Sequence, residues 1–417
     1  METIGRRARF LNAAAGPAAR DGYRRGRRGR ETTIAPGLAA TVSWEGLREL
    51  AGFRAENGRA ITLYLGLDPQ HAATAGDART RVSSLLDEGM RRASSDRVDL
   101  THDQRLVLRD DLERIRLFVE LELDRAGARG LVVFCDSADN FWRAMPLATT
   151  VPDAVKINDE FFLVPLVPIV GRGEGALVAA VGRERGELYR LRVGRLEEIG
   201  DHSEEQPRRH DQGGWAQARL QRHADRLAHD HLRRVAEALD RELRRNGRDK
   251  LVVVSTDDIR AELSELLSPV ATGALVGWAS AEAHAGPPEL LEAALPVLEV
   301  WRGQQETEAV ERWREEAGRN GRGVAGWEET LEAASDGRVE LLLYQVGVQR
   351  SACRCPACGR LAADAGKCPL DGMELEPHDE GLDLAIHQTL ARGGTACAVE
   401  HRRDLEPVGG IGALLRF

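Results

Sequence analysis

The sequence predicts an α/β protein of three consecutive domains, and three observations support this fold class. A chain of 417 residues is longer than one hydrophobic core usually organises. Amphipathic helical segments alternate with short runs of β-branched and aromatic residues, such as Gly-Leu-Val-Val-Phe-Cys at 130–135, which are typical of buried strands. Four of the six cysteines fall between residues 353 and 368, a spacing that indicates a metal-binding insertion in the third domain.

The composition is that of a globular protein with no membrane segment. Charged residues make up 30% and hydrophobic residues 42% of the chain. The most apolar stretch, 161–170, carries two prolines and is too short to span a bilayer, so we expect an edge strand and a turn there. No apolar secretory signal opens the chain. We therefore expect a cytoplasmic protein whose cysteines are reduced.

Residues 1–40 differ from the rest of the chain in charge. They hold nine arginines against three acidic residues, a local charge of +6. They also lack a periodic apolar face, so we predict a basic, disordered tail. A nucleic-acid-binding arm and an organellar transit peptide are the alternatives.

The first predicted domain covers 41–170. An amphipathic helix at 41–55 has Thr41 or Ser43 as its cap, and a strand follows at 60–67. Further helices fit 78–92 and 101–126, the second opened by a capping box at Thr101. The strand at 130–135 follows them.

The second predicted domain covers 171–300. Two apolar runs, 176–181 and 188–193, flank a glycine-bounded turn and predict a hairpin. A long helix at 215–245 follows, and then a buried strand at 251–255. One apolar face of this helix is formed by residues three or four positions apart, namely Leu220, Ala224, Leu227, His231, Val235, Leu239 and Leu243.

The third predicted domain covers 301–417, with the cysteine-rich insertion at 353–375. Its predicted helices are 306–317, a segment opened by Gly326-Trp327, and 382–391. Its predicted strands are 339–346, 394–399 and 412–417.

Charge is distributed unevenly between the later segments. Residues 207–250 carry 12 Arg and Lys against seven Asp and Glu, whereas residues 251–417 carry 15 against 28. These local charges of +5 and −13 indicate two kinds of partner, because the basic part attracts phosphate and the acidic part repels it.

The cysteine cluster predicts one structural zinc ion. Cys355 and Cys358 are followed by glycine, as in a zinc knuckle. Cys368-Pro-Leu-Asp371-Gly repeats this pattern, with an aspartate as the fourth ligand. Cys353 and His378 are alternatives for that position, a turn-capping role is an alternative for Asp371, and a ribbon that has lost its metal is the alternative for the whole cluster.

The segment before the long helix combines two glycines with basic side chains. Gly213 and Gly214 allow a close backbone approach that other residues do not. An indole such as Trp215 can stack on a nucleobase. The basic side chains suited to phosphate contacts are Arg208, Arg209, His210, Arg219 and Arg222. A plain surface turn, with Trp215 folded onto the helix, is the alternative.

Three segments resemble the archaeal and eukaryotic class I peptide chain release factors, a family that includes Pelota-like and bacterial Balon-like relatives. The first runs from 208 to 219 and leads into 231–237, similar to the family's Gly-Gly-Gln loop and long helix. The second is 326–334, and the third is the terminal segment 409–417. The resemblance extends over roughly 41–417 and implies three α/β domains in release-factor order.

This resemblance implies a ribosomal role with two departures from the family. The loop is expected to point at the peptidyl-transferase centre, where the family uses a glutamine and this chain has Trp215. No stop-codon motif of the Asn-Ile-Lys-Ser type occurs in 60–100. The implied function is therefore occupancy of the ribosomal A site in hibernation or rescue, with rRNA and peptidyl-tRNA as contacts and a translational GTPase at the acidic third domain.

Two other functions stay open at the level of sequence. Gln217 follows the glycines closely, so hydrolysis of peptidyl-tRNA on stalled ribosomes is the enzymatic alternative. A zinc-ribbon nucleic-acid-binding protein without ribosome specificity is the second. The helix histidines His223, His229 and His231 lack a partner set for metal binding and are expected to be solvated or buried in the core.

Overall fold

The chain was examined as a computed structural model. It describes residues 42–68, 75–93, 100–123, 128–170, 175–204, 215–246, 249–282 and 284–417, apart from the side chains of residues 75, 93, 215–221 and 246. The predicted basic tail at 1–40 lies outside the described residues. Within them, no helix is both long enough and apolar enough to cross a membrane.

The first sheet has four antiparallel strands in the order β3-β2-β1-β4. Strands β1 and β2 are buried along their whole length, because helices cover both faces of the sheet. The elements are α1 Trp44–Ala51, β1 Ala60–Gly66, α2 Ala75–Ala93, α3 His102–Leu117, β2 Gly130–Asp136, β3 Phe141–Leu147 and β4 Ala154–Asn158.

Both predicted helix starts in this region are confirmed by side-chain caps. Ser43 Oγ accepts from the Gly46 amide at 3.1 Å. Thr101 and Gln104 form the reciprocal capping box. The predicted helix at 101–126 changes character, however, because α3 ends at Leu117 and a π-helical turn, Phe118–Glu122, follows.

The expected edge strand at 161–170 is wrong. This segment contains a 3₁₀ turn, Val164–Leu166, and Phe161, Leu163 and Leu166 are fully buried. The backbone N–H groups of Leu163 and Val164 donate to the buried Asp383 carboxylate at 2.8 and 3.2 Å. These two backbone N–H groups therefore bond to a side chain that is distant in the sequence, whereas in the expected edge strand they would have been available to a neighbouring strand.

The second sheet has the order β7-β6-β5-β8-β9. Strands β5, β8 and β9 are parallel, while β5-β6-β7 is antiparallel, so the predicted hairpin is present. Helices α4, α5 and α6 cover one face and α7 covers the other. The elements are β5 Leu177–Val181, β6 Gly186–Arg192, β7 Arg195–Asp201, α4 Trp215–Asn246, β8 Leu251–Val254, α5 Asp257–Leu266, α6 Pro269–Ala274, β9 Leu275–Ala279 and α7 Pro287–Gly318.

Helix α7 is longer than the predicted helix at 306–317. Its first half packs on the second sheet through Leu290, Ala294 and Leu298. Its second half packs on the third sheet through Val310 and Trp313. The proposed domain boundary at residue 300 therefore falls inside one continuous helix.

The third sheet has the order β10-β16-β11-β15 and contains the last strand of the chain. β11 lies in the middle, parallel to β15 and antiparallel to β16. The Trp327 indole donates to the Gly409 carbonyl at 2.9 Å, which joins the two terminal segments of the release-factor resemblance. The elements are β10 Gly323–Ala325, α8 Trp327–Ser335, β11 Val339–Gln345, α9 Gly381–Ala391, β15 Thr395–Val399 and β16 Ile411–Leu415.

Candidate functional site

Much of the predicted loop site lies outside the described residues. This applies to Arg208, Arg209, His210, Gly213 and Gly214. The backbone of α4 begins at Trp215. Gln217 and Arg219 are therefore in its first two turns, although their side chains are not described. Among the predicted site residues of this region, Arg222 is the one whose side chain is described, and it is exposed.

Helix α4 has an exposed and a packed portion. From Ala228 to Leu243 one face is buried against the second sheet. Nearer the helix start, Arg222, His223 and Arg226 are exposed. Arg226 was not singled out from the sequence, although its i,i+4 spacing from Arg222 puts both on one side of the helix. The glycine end of α4 thus presents positive charge while the other end is held by the core.

The three histidines of α4 have separate environments. His231 is fully buried, and its Nε2 lies 3.0 Å from the Arg185 carbonyl oxygen. The Nδ1 atom of His229 lies 2.9 Å from a Glu262 carboxylate oxygen. His223 is exposed. They do not converge on one site.

The four predicted zinc ligands converge. The ligand atoms of the group all lie within 4.8 Å of one another. The Sγ atoms of Cys358 and Cys368 are 3.5 Å apart. Cys355 Sγ is 3.2 Å from Asp371 Oδ2. Tetrahedral zinc with Zn–S bonds of about 2.3 Å needs sulfur atoms separated by about 3.8 Å, so this donor set fits a single ion.

The two knuckles that hold these ligands have the same backbone geometry. The Gly359 amide donates to the Cys355 carbonyl and the Gly372 amide donates to the Cys368 carbonyl, both at 2.9 Å. Both glycines have positive φ, 75° and 74°, which a side chain would strain. The repeated Cys-x-x-ligand-Gly spacing therefore folds into two equivalent turns.

Asp371 is positioned as the fourth member of this group. The amide of Met373 donates to Asp371 Oδ1 at 3.1 Å, and this bond, together with the neighbouring thiols, holds the pKa of the carboxyl below its ordinary value. A lowered pKa keeps the carboxylate charged, as a metal ligand must be.

The alternative ligands are outside the group. Cys353 is buried on the short strand β12, Ala352–Arg354, opposite Ala362 and Pro377. His378 ends β14, Glu376–His378. Together with β13, Leu361–Ala362, these strands form a small sheet of order β13-β12-β14 beside the cysteine knuckles.

Comparison with known proteins places the middle of the chain in a family. The sequence model of the bacterial archaeo-eukaryotic release factor family 10 matches residues 162–299, the segment that includes the glycine pair and all of α4. A comparison with curated proteins finds no match.

Three solved structures are among those similar to the chain. An archaeal translation termination factor, aRF1, is 16% identical, with 90% of this chain and 99% of that chain covered and a TM-score of 0.25. Pelota of Archaeoglobus fulgidus is 18% identical, with 69% and 79% covered and a TM-score of 0.33. Dom34 of S. cerevisiae, a translation termination-like factor, is 12% identical, with 71% and 77% covered and a TM-score of 0.39.

This sequence match includes the first of the three segments that carry the release-factor resemblance, 208–237, and does not extend to 326–334 or 409–417. Residues 162–299, the middle of the chain, are therefore similar to a bacterial family of archaeo-eukaryotic release factors.

Proposed function

We propose that the protein occupies the ribosomal A site during hibernation or rescue, with the segment Gly213–Trp215 directed at the peptidyl-transferase centre. The observation that carries this proposal is the family match over 162–299, because it includes both the glycine pair and the helix behind it. The protein would act in the cytoplasm, where its ribosomal contacts are found.

The length and the charge of α4 suit a helix that enters a narrow space lined by phosphates. Its 32 residues correspond to a length of about 48 Å. The buried portion, Ala228–Leu243, anchors it to the second sheet. The exposed arginines near its start, Arg222 and Arg226, match the charge of RNA phosphates.

Trp215 favours occupancy over hydrolysis. An amide side chain both donates and accepts hydrogen bonds, whereas indole has one donor and no acceptor. It is therefore poorly suited to orient a water molecule towards an ester. Stacking on a nucleobase, worth about 1–3 kcal/mol, prolongs residence instead.

The acidic third domain is the proposed surface for a translational GTPase. Residues 301–417 carry 14 Arg and Lys against 20 Asp and Glu, a local charge of −6, which disfavours RNA and is compatible with a protein partner. Among the similar structures, Dom34 is described as interacting with Hbs1, and an archaeal Pelota is described as ribosome-bound with ABCE1. The GTPase contact is proposed here by analogy.

We also propose that the cysteine group holds one structural zinc ion. Cys355, Cys358, Cys368 and Asp371 would be its ligands, and the ion would tie the two knuckles together. Four protein ligands leave no open coordination position for catalysis.

Ribosome association should depend on the basic start of α4. We expect the variant R208Q/R209Q/R219Q/R222Q to lose about 10- to 100-fold in ribosome affinity near 0.1 M salt, because each lost phosphate contact removes counterion release. The measurement is cosedimentation with purified ribosomes over a salt series. The matched control, R233Q/R241Q/R244Q/R245Q, removes the same charge from exposed positions at the other end of the helix. Equal loss in both variants would contradict a directed contact.

Peptide release should be slow at every codon state. Water-positioning groups are worth roughly 10²–10³ in rate, and Trp215 does not supply one. The measurement is release of labelled peptide from ribosome complexes with a stop codon, a sense codon or no codon in the A site.

Each other outcome of this assay selects another function. Rapid release at a stop codon would restore a termination role. Rapid release without a codon would select the hydrolase, and comparison of Gln217→Ala with Trp215→Gln would then show which side chain carries the activity.

A further inference from the structure

The last strand of the third sheet, β15, has a free edge. Among the described residues it pairs with β11 alone. The Val346 amide donates to the Val399 carbonyl at 3.0 Å, which sets the alternation of the parallel ladder. Thr395, Cys397 and Val399 therefore face β11, and the backbone N–H and C=O groups of Ala396 and Ala398 face away from the sheet.

These outward groups lack backbone partners within the described part of the chain. Within the described residues, one side-chain contact reaches them, from Cys397 Sγ to the Ala398 carbonyl oxygen at 3.9 Å, which is too long for a strong hydrogen bond. Ala396 is 4% exposed and Ala398 is half-buried, so the outward groups of Ala398 are the more accessible of the two. Buried, unpaired peptide groups are destabilising, so this edge is set up to accept hydrogen bonds from elsewhere.

The free edge opens into a groove of about 480 Å³. Residues 395–398 form its floor. One wall is α7, through Trp301, Gln305 and Ala309, and the opposite wall is Trp44 with Val167 and Val170. Charged side chains, among them Glu308 and Arg312, also line the groove. An aromatic and aliphatic channel thus runs beside unpaired backbone groups.

We propose that this groove receives an extended peptide of a partner protein, which adds a strand to β15. The backbone of an extended peptide carries alternating N–H and C=O groups. These groups can form hydrogen bonds with the outward C=O and N–H groups of Ala396 and Ala398. The walls require apolar side chains on the added strand. Five residues of β15 span about 16 Å, so the recognised segment is about five residues long.

The walls also decide against a second copy of this chain as the occupant. Pairing of two β15 edges would bring two folded sheets together. Here α7 and Trp44 stand on either side of the edge and admit a single extended segment. The proposal is independent of ribosome binding, since none of the groove residues belongs to the α4 site.

Selection of peptides against the full-length protein tests this proposal. The probe is a display library of random ten-residue peptides, with A398P protein as the counter-selection target. Proline removes the outward N–H and is tolerated at a sheet edge. We expect enriched apolar peptides that bind the unmodified protein and lose about tenfold in affinity for A398P, while A398S, which keeps the N–H, stays within about twofold.

Two further measurements keep the test decisive if A398P fails to fold. Hydrogen–deuterium exchange should show slower exchange at the amides of Ala396 and Ala398 when the selected peptide is added. An N-methylated version of the peptide should lose binding. Failure to enrich any peptide, equal binding to folded A398P, unchanged exchange at these amides, or dimerisation abolished by A398P would each overturn the proposal.

Discussion

At the level of single residues, the group of Cys355, Cys358, Cys368 and Asp371 shows how spacing alone can bring side chains together. Cys355 and Cys358, and Cys368 and Asp371, are each three positions apart and followed by glycine. The hydrogen bonds of one tight turn therefore place each pair. Cys353 is only two positions from Cys355 but lies on a strand. Strand pairing holds it outside the group.

Metal content should follow this distinction. We expect Cys355→Ser and Cys368→Ser to lose most of the bound zinc, because a hydroxyl is a poor substitute for thiolate. Cys353→Ser is the matched control and should retain about one equivalent, the content that we also expect of the unmodified protein. Elemental analysis of protein purified without chelators is the measurement. If Cys353→Ser releases the ion while Asp371→Ala keeps it, the assignment of Asp371 as the fourth ligand is wrong.

At the level of secondary structure, α7 links two sheets through one uninterrupted helix. Pro296 lies inside it, and Gly303 lies near its middle. A Cβ added at Gly303 would have no atom within 4 Å. No close contact therefore requires a glycine at this position, and its backbone flexibility lowers the stability of the helix.

Replacement of Gly303 should reveal this cost. We expect Gly303→Ala to stabilise the fold by about 0.5–1 kcal/mol, because alanine loses less backbone entropy on forming a helix. Gly303→Pro should destabilise it by about 3 kcal/mol or more. The melting temperature of each variant is the measurement. A melting temperature lowered by Gly303→Ala would show that the helix needs to bend at this position.

At the level of the whole molecule, the first and third sheets share a buried interface. One hydrophobic cluster contains residues of both, among them Tyr64 of β1 and Leu342 of β11. Polar contacts surround it. Arg354 donates to both carboxylate oxygens of Glu160 at 2.7 and 2.8 Å, and Lys156 pairs with Glu380. These contacts hold α9 against the turn at 161–166.

Asp383 makes this interface sensitive to pH. Burial raises the pKa of its carboxyl to about 6, so the folded protein binds a proton more tightly than the unfolded chain. The stabilisation from protonation is fully present below about pH 4 and is lost as the pH rises through 6. A shift of this size corresponds to about 3 kcal/mol at most.

The variant Asp383→Asn should remove this dependence. Both backbone donors contact Asp383 Oδ1, and an amide oxygen can accept them without the charge. We therefore expect Asp383→Asn to be at least as stable as the unmodified protein at pH 7.5. The difference in stability between this variant and the unmodified protein should disappear towards pH 5. The measurement is the melting temperature of both proteins over this pH range. Asp379→Asn, at an exposed position shortly before α9, is the control for loss of one charge, and a parallel shift in both variants would contradict a role for burial.

The sequence by itself determined the elements whose signals are local. Periodicity predicted α4 and, from His231 to Leu243, the face that is buried, whereas Ala224 and Leu227 of the predicted face are only half-buried. Apolar runs predicted the hairpin β5–β6 and the strand β11. The knuckle spacing predicted that Cys355, Cys358, Cys368 and Asp371 come together, and the segment 208–237 predicted the release-factor similarity of the middle of the chain. Each of these signals lies within one short segment of the sequence.

Only the tertiary structure decided the features that depend on distant burial. The turn at 161–166 has a strand-like sequence, but contact with Asp383 satisfies its backbone. Helix α7 extends through residue 300 because two different sheets bury its two halves. The free edge of β15 and the groove beside it arise from strand order. No local pattern encodes which strand is last in a sheet, because that order is set by pairing between residues far apart in the chain.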